Sequence, residues 1–228
     1  MTWFYAFIPV IVASLGAAWT SWREPTPKLV GAVQHLAAGV VFYAAAGEIL
    51  PDAIHQGAVW TLVSGGVVGI AGMLLLRHLT EGAEESPVGL VAASAVDALI
   101  DGLVLGLGFN AGQRQGTLLA IALAVEFLFL GLSIAGSFGK DAGRWTVIGT
   151  TIGVSLGVPL GVLIAQPIGG LPHTWQAVAF AFGLIALLYL VTEELLTEAH
   201  ERPETAWGAG AFFVGFLAMA VISELMGK

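Results

Sequence analysis

Ser94-Ala-Val-Asp97-Ala-Leu-Ile-Asp101-Gly102-Leu-Val-Leu-Gly106 sets two carboxylates four residues apart in a run that is otherwise apolar and small. On a helix, residues i and i+4 lie on one face, one above the other. Asp97 and Asp101 therefore point the same way from a segment long enough to cross a bilayer. Ionisable groups at that depth are costly and mark a functional site by default, with a partner to be found.

The rest of the chain agrees with a membrane setting. It has 228 residues, 57% hydrophobic and 11% charged, with a mean hydropathy of +0.88. A soluble domain is about a quarter charged and about half apolar at most. The expected fold is an all-α polytopic membrane protein, with residues 1–228 forming one transmembrane domain. No cysteine is present, which excludes disulfides and thiolate metal ligands. The net charge of -8 gives no reason to expect a nucleic-acid partner. Met1-Thr-Trp-Phe-Tyr5 has no basic region and no clean A-x-A site follows, so the first apolar run reads as a membrane helix, not a signal peptide.

Eight apolar runs of bilayer length recur: about Trp3–Thr20, Val33–Leu50, Val59–Leu76, Val88–Phe109, Thr117–Phe138, Trp145–Ala165, Trp175–Leu196 and Trp207–Met226. Gly112-Gln-Arg114-Gln-Gly116 reads as a turn between the fourth and fifth. An even number of crossings puts both termini on one side. With the termini outside, the cytoplasmic loops hold Arg23, Lys28, Arg77, Lys140, Arg144 and Arg202, leaving only Arg114 and Lys228 outside. Positive charge collects on the cytoplasmic side. Both termini are therefore expected to be extracytoplasmic, in the cell (plasma or inner) membrane.

Small residues at four-residue spacing let helices approach closely in lipid. The sixth segment carries Gly149, Gly153, Gly157 and Gly161, the third Gly65, Gly69 and Gly72, and the fourth Gly102 and Gly106. There is also an internal echo. Glu48-Ile-Leu-Pro-Asp52-Ala ends the second segment, and Glu194-Leu-Leu-Thr-Glu198-Ala ends the seventh. Similar helices at mirrored positions suggest inverted repeats, helices 1–3 against 6–8, around a central pair.

Asp97 lies about ten residues into its segment, and Glu126 about ten into the next, which runs back antiparallel. All three carboxylates then reach a similar depth. They cannot all stay ionised in hydrocarbon unless a cation or protons neutralise them. An all-oxygen ligand set suits Mg²⁺, Mn²⁺, Ca²⁺ or Fe²⁺, while Zn²⁺ usually prefers nitrogen or sulfur. Glu48 and Asp52 at one rim, and Glu194 and Glu198 at the other, read as acidic mouths that gather and release a cation. His35, His78 and His173 read as interfacial or loop residues.

His35-Leu-Ala-Ala-Gly-Val through Glu48-Ile-Leu-Pro51-Asp52-Ala resembles the second helix of the Zrt/Irt-like (ZIP) family of divalent-metal transporters, which reads A-A-G-V and ends L-x-P-E/D-A. Glu194-Leu-Leu-Thr-Glu198-Ala resembles its seventh. The resemblance covers essentially the whole chain and implies a 3+2+3 inverted-repeat bundle, a homodimer in the lipid bilayer, and alternating access that moves metal ions such as zinc into the cytoplasm. The family's fourth helix carries H-N-x-P-E/D-G. Here Asp101-Gly102 match its end, and Asp97 stands in the place of the histidine. In the fifth, Glu126 takes the first ligand position, with Phe127 and Leu130 where further ligands would stand. The resemblance thus implies one metal set, Asp97, Asp101 and Glu126, for Mn, Fe, Zn, Cd or Mg as substrate, without an organic cofactor. A non-transporting metal sensor or a proton-coupled permease of the same fold is the alternative reading. An enzyme is not expected, since an intramembrane aspartyl protease would draw its acids from two helices and carry a G-x-G-D pattern.

Overall fold

A computed structural model describes residues 2–20, 22–23, 25–55, 58–80, 87–138, 143–201 and 206–227. Lys140, Arg202 and Lys228, which enter the topology argument, lie outside the described residues, as does the acidic loop at 81–86. Eight helices are long and apolar enough to cross a membrane, and the described residues contain no strand. The protein is an all-α polytopic membrane protein.

Helix α1 is Thr2–Thr20. Helix α2 runs from Pro27–Tyr43 through a π-helical segment, Ala44–Ile49, to Leu50–His55. Then come α3 (Val59–Thr80), α4 (Pro87–Ala111) and α5 (Gln113–Ser137). Helix α6 is Arg144–Ser155 followed by Gly157–Ala165, closed by a 3₁₀ turn, Gln166–Gly170. Helix α7 repeats the plan of α2, with His173–Tyr189, a π segment Leu190–Leu195, and Leu196–Glu201. Helix α8 is Ala206–Met226.

Several helices outrun their apolar cores, because a backbone that keeps its own hydrogen bonds is the cheap state near lipid. Helix α2 starts at Pro27, where the missing N–H costs nothing and the Thr26 hydroxyl accepts from Leu29 N. The five-residue turn expected around Arg114 shrinks to the extended Gly112, and Arg114 sits in the first turn of α5.

The most extensive contacts join α1 to α5, α4 to α6, α2 to α8 and α3 to α7. Glycines set these crossings by letting backbones touch. A Cβ on Gly102 would lie 2.1 Å from Val158 O, and one on Gly161 2.1 Å from Leu99 O. On the other side, Gly131 faces Ala13 O at 2.2 Å and Gly16 faces Leu128 O at 2.9 Å. The glycine stripe of α6 is only half used. Gly157 and Gly161 meet α4, but a Cβ on Gly149 or Gly153 would meet nothing within 4 Å. The helix is interrupted at Leu156, between the two halves of the stripe.

The contacts recur in pairs. Exchanging α1 with α6, α2 with α7, α3 with α8 and α4 with α5 turns the α1–α5 crossing into α6–α4, and α2–α8 into α7–α3. The match extends to residues. Gly16 against Leu128 corresponds to Gly161 against Leu99, Gly131 against Ala13 to Gly102 against Val158, and Gly215 against Leu36 to Gly69 against Phe182. Exchanged helices are an odd number of crossings apart, so they run in opposite directions, the signature of an inverted repeat. The π segments obey the same relation. Each follows a tyrosine, Tyr43 or Tyr189, and Glu48 and Glu194 are the fifth residues of the two.

Candidate metal centre

Asp97 and Asp101 come from the middle of α4 and Glu126 from the middle of α5, which packs beside it. Each offers an oxygen, and these oxygens all lie within 4.8 Å of one another. Asp101 and Glu126 are buried and Asp97 is half-buried. Asp101 Oδ2 and Glu126 Oε2 are buried with no hydrogen-bond partner. A buried polar atom left unpaired costs about 1–3 kcal/mol, more when charged. Two such atoms converging in one place call for a cation or a shared proton.

The inverted relation runs through the site. Asp97 and Glu126 each precede a packed glycine by five residues, Gly102 and Gly131. They are counterparts. The counterpart of Asp101 is Leu130, which lines the same cavity. Two of the three carboxylates therefore obey the symmetry and the third is one-sided.

The triad forms the floor of a cavity of about 420 Å³. Glu194 and Glu198 of α7 line it, with Arg77 and Thr80 at the end of α3 and Glu201 at the end of α7. It therefore opens at the end of the bundle away from the two termini. Arg77 Nη1 and Glu193 Oε2 are 3.2 Å apart at this mouth, both about half-exposed. Glu198 Oε2 accepts from Gln34 Nε2 at 2.9 Å, and Gln34 is fully buried in α2.

Glu48 and Asp52 lie at the opposite end. Glu48 is only 4% exposed. Arg114 Nη1 donates to its Oε2 at 2.9 Å, and the Ser223 hydroxyl donates to its Oε1 at 2.6 Å. Arg114 Nη2 in turn reaches Ser223 Oγ at 2.6 Å and Ser223 O at 3.1 Å. The structure thus unites Asp97, Asp101 and Glu126, brings Glu194 and Glu198 to their cavity, and keeps Glu48 apart in a closed cluster. Asp52 is half-buried one turn beyond it.

Sequence reasoning missed Arg114, Ser223 and Gln34. It also read His35 as an interfacial or loop residue, whereas it is 6% exposed inside α2 with its ring edge-on to His200, centroids 5.5 Å apart. The echo between the second and seventh segments was the available signal. Carried into the neighbouring helices, it pairs Ser223 with the charged Arg77. Compared with protein-family models and with curated proteins, the chain gives no match in either set.

Proposed function

We propose that the protein is a divalent-metal transporter of the ZIP type, carrying its ion to the cytoplasm by alternating access through Asp97, Asp101 and Glu126. The observation that carries this reading is the convergence of three carboxylates, with oxygens within 4.8 Å of one another, at the floor of a cavity open at one end. The donors are all oxygen, which suits Mn²⁺, Fe²⁺ or Mg²⁺ best and admits Cd²⁺ and Zn²⁺. Glu194 and Glu198 sit between the triad and the open mouth, where their charge favours a cation over an anion. Arg23, Lys28, Arg77 and Arg144 belong to the cavity end, and Arg114 to the other. By the positive-inside rule the cavity then faces the cytoplasm and the termini face out. The resemblances in α2 and α7 to the ZIP family support the same assignment and carry a homodimer with it.

The test is uptake of Mn²⁺, Fe²⁺, Zn²⁺ and Cd²⁺ into proteoliposomes. The native chain should accumulate at least one ion, and the Asp97→Ala/Asp101→Ala variant none. Equal uptake by the two for every ion would overturn the proposal.

A further inference from the structure

The end of the bundle opposite the cavity is its closed counterpart. Under the inverted relation, cavity-lining Leu90, Ala93 and Ser94 of α4, all half-buried, correspond to Leu119, Ala122 and Leu123 of α5. Those three counterparts are each 1% exposed. Where α4 lines a cavity at one end, the matching described residues of α5 are packed at the other. In the middle of the packed end lies Glu48, the counterpart of cavity-lining Glu194. Its two oxygens are both taken, one by Arg114 and one by Ser223. The cluster ties α2 of the first repeat, α5 of the central pair and α8 of the second repeat, units that must separate for this end to open.

We propose that Arg114 is a tethered internal cation that latches this end and is displaced from Glu48 by the incoming ion. The inference rests on the transport reading above for the identity of that ion. Glu48 cannot be left buried and unpaired, because an uncompensated buried charge is strongly unfavourable. The latch therefore opens only when another cation takes the place of the guanidinium. A monovalent ion brings the same charge as Arg114 without its fixed fork of donors. A divalent ion brings twice the charge. Arg114 thus acts as a specificity-determining residue, setting a threshold that single charges do not pass.

The absence of cysteine makes the test direct. Ala122→Cys places a thiol in the packed end and Ala93→Cys one in the cavity. Each is labelled with a polar maleimide on the protein in nanodiscs, with and without Mn²⁺. In the Arg114→Gln background the Ala122 site should react about tenfold faster or more, as the loss of a charged hydrogen bond to the buried Glu48 allows, and the Ala93 site more slowly. Arg114→Lys should fall between. In the native background Mn²⁺ should speed the Ala122 site and Na⁺ should not. Should Arg114→Gln fail to insert, Ser223→Ala carries the same test with a smaller change. Unchanged Ala122 labelling overturns the latch. So does a rise at both sites, which is general loosening. Labelling needs no flux, so reciprocal labelling without ion uptake keeps the latch and removes the transport reading, and uptake without reciprocity does the reverse.

Discussion

Replacing Gly161 by alanine adds one methyl group where α6 crosses α4. That carbon would lie 2.1 Å from Leu99 O, 2.5 Å from Leu103 N and 2.7 Å from Gly102 C. All three are backbone atoms, so none can turn away. Ordinary carbon contacts need about 3.5 Å, so the two helices must part by about 1 Å. Overpacking of this kind costs about 1–3 kcal/mol. Alanine's better helix propensity returns up to about 1 kcal/mol. The net loss is about 1–2 kcal/mol, or about 2–8 °C in melting temperature for a chain of this size. The same exchange at Gly149 or Gly153, on the same helix, meets nothing within 4 Å and should cause no loss. A Cβ on Gly102 strikes Val158 O across the same seam. One parting relieves both clashes, so Gly102→Ala/Gly161→Ala should cost clearly less than the sum of the single changes. Because Asp101 adjoins Gly102, the parting should also weaken metal binding. The assay is thermal unfolding in nanodiscs followed by tryptophan fluorescence, with Mn²⁺ binding by equilibrium dialysis. Melting of Gly161→Ala at the temperature of Gly149→Ala, or strict additivity in the double variant, would refute the backbone-contact reasoning.

Asp101→Asn keeps the shape of the side chain and removes one of three ligand charges, so Mn²⁺ affinity measured by dialysis should fall at least about tenfold; an unchanged affinity would place the ion elsewhere. The two ion pairs at the ends of the bundle should separate by burial. Arg77→Gln breaks a pair exposed by 57% and 47% and should cost under about 1 kcal/mol, whereas Arg114→Gln strands Glu48, whose side chain is only 3% exposed, and should cost at least about 2 kcal/mol. Thermal unfolding ranks the two, and the opposite order would contradict the closed-end assignment.

The eight helices were legible because a bilayer-length apolar run has few alternatives to a spanning helix. The triad was legible because i, i+4 spacing and equal depth are properties of position alone. Arg114 was not. It stands between Gly112 and Gly116, and two glycines in five residues read as a turn, but the drive to keep the backbone bonded near lipid prevailed. Its partner Glu48 was visible only as a rim acid, since nothing local marks the residue across the bundle that neutralises it. The glycine stripe of α6 showed the same limit. Spacing predicts a face, whereas contact depends on the interruption at Leu156 and on backbone carbonyls that carry no sequence signature. The π segments left no trace either, because an extra residue in a helix alters no composition.

Those two π segments bear on the history of the chain. A π turn is rare and usually less favourable than the α-helix it interrupts. Two of them at equivalent places, each six residues long and each after a tyrosine, are more simply one inheritance than two inventions. The common ancestor would then be a three-helix unit that already carried the irregularity. Its descendants lie in the bilayer in opposite senses, so that ancestor had to insert both ways up. Orientation is set mainly by basic residues in the loops, and the unit can have held few of them.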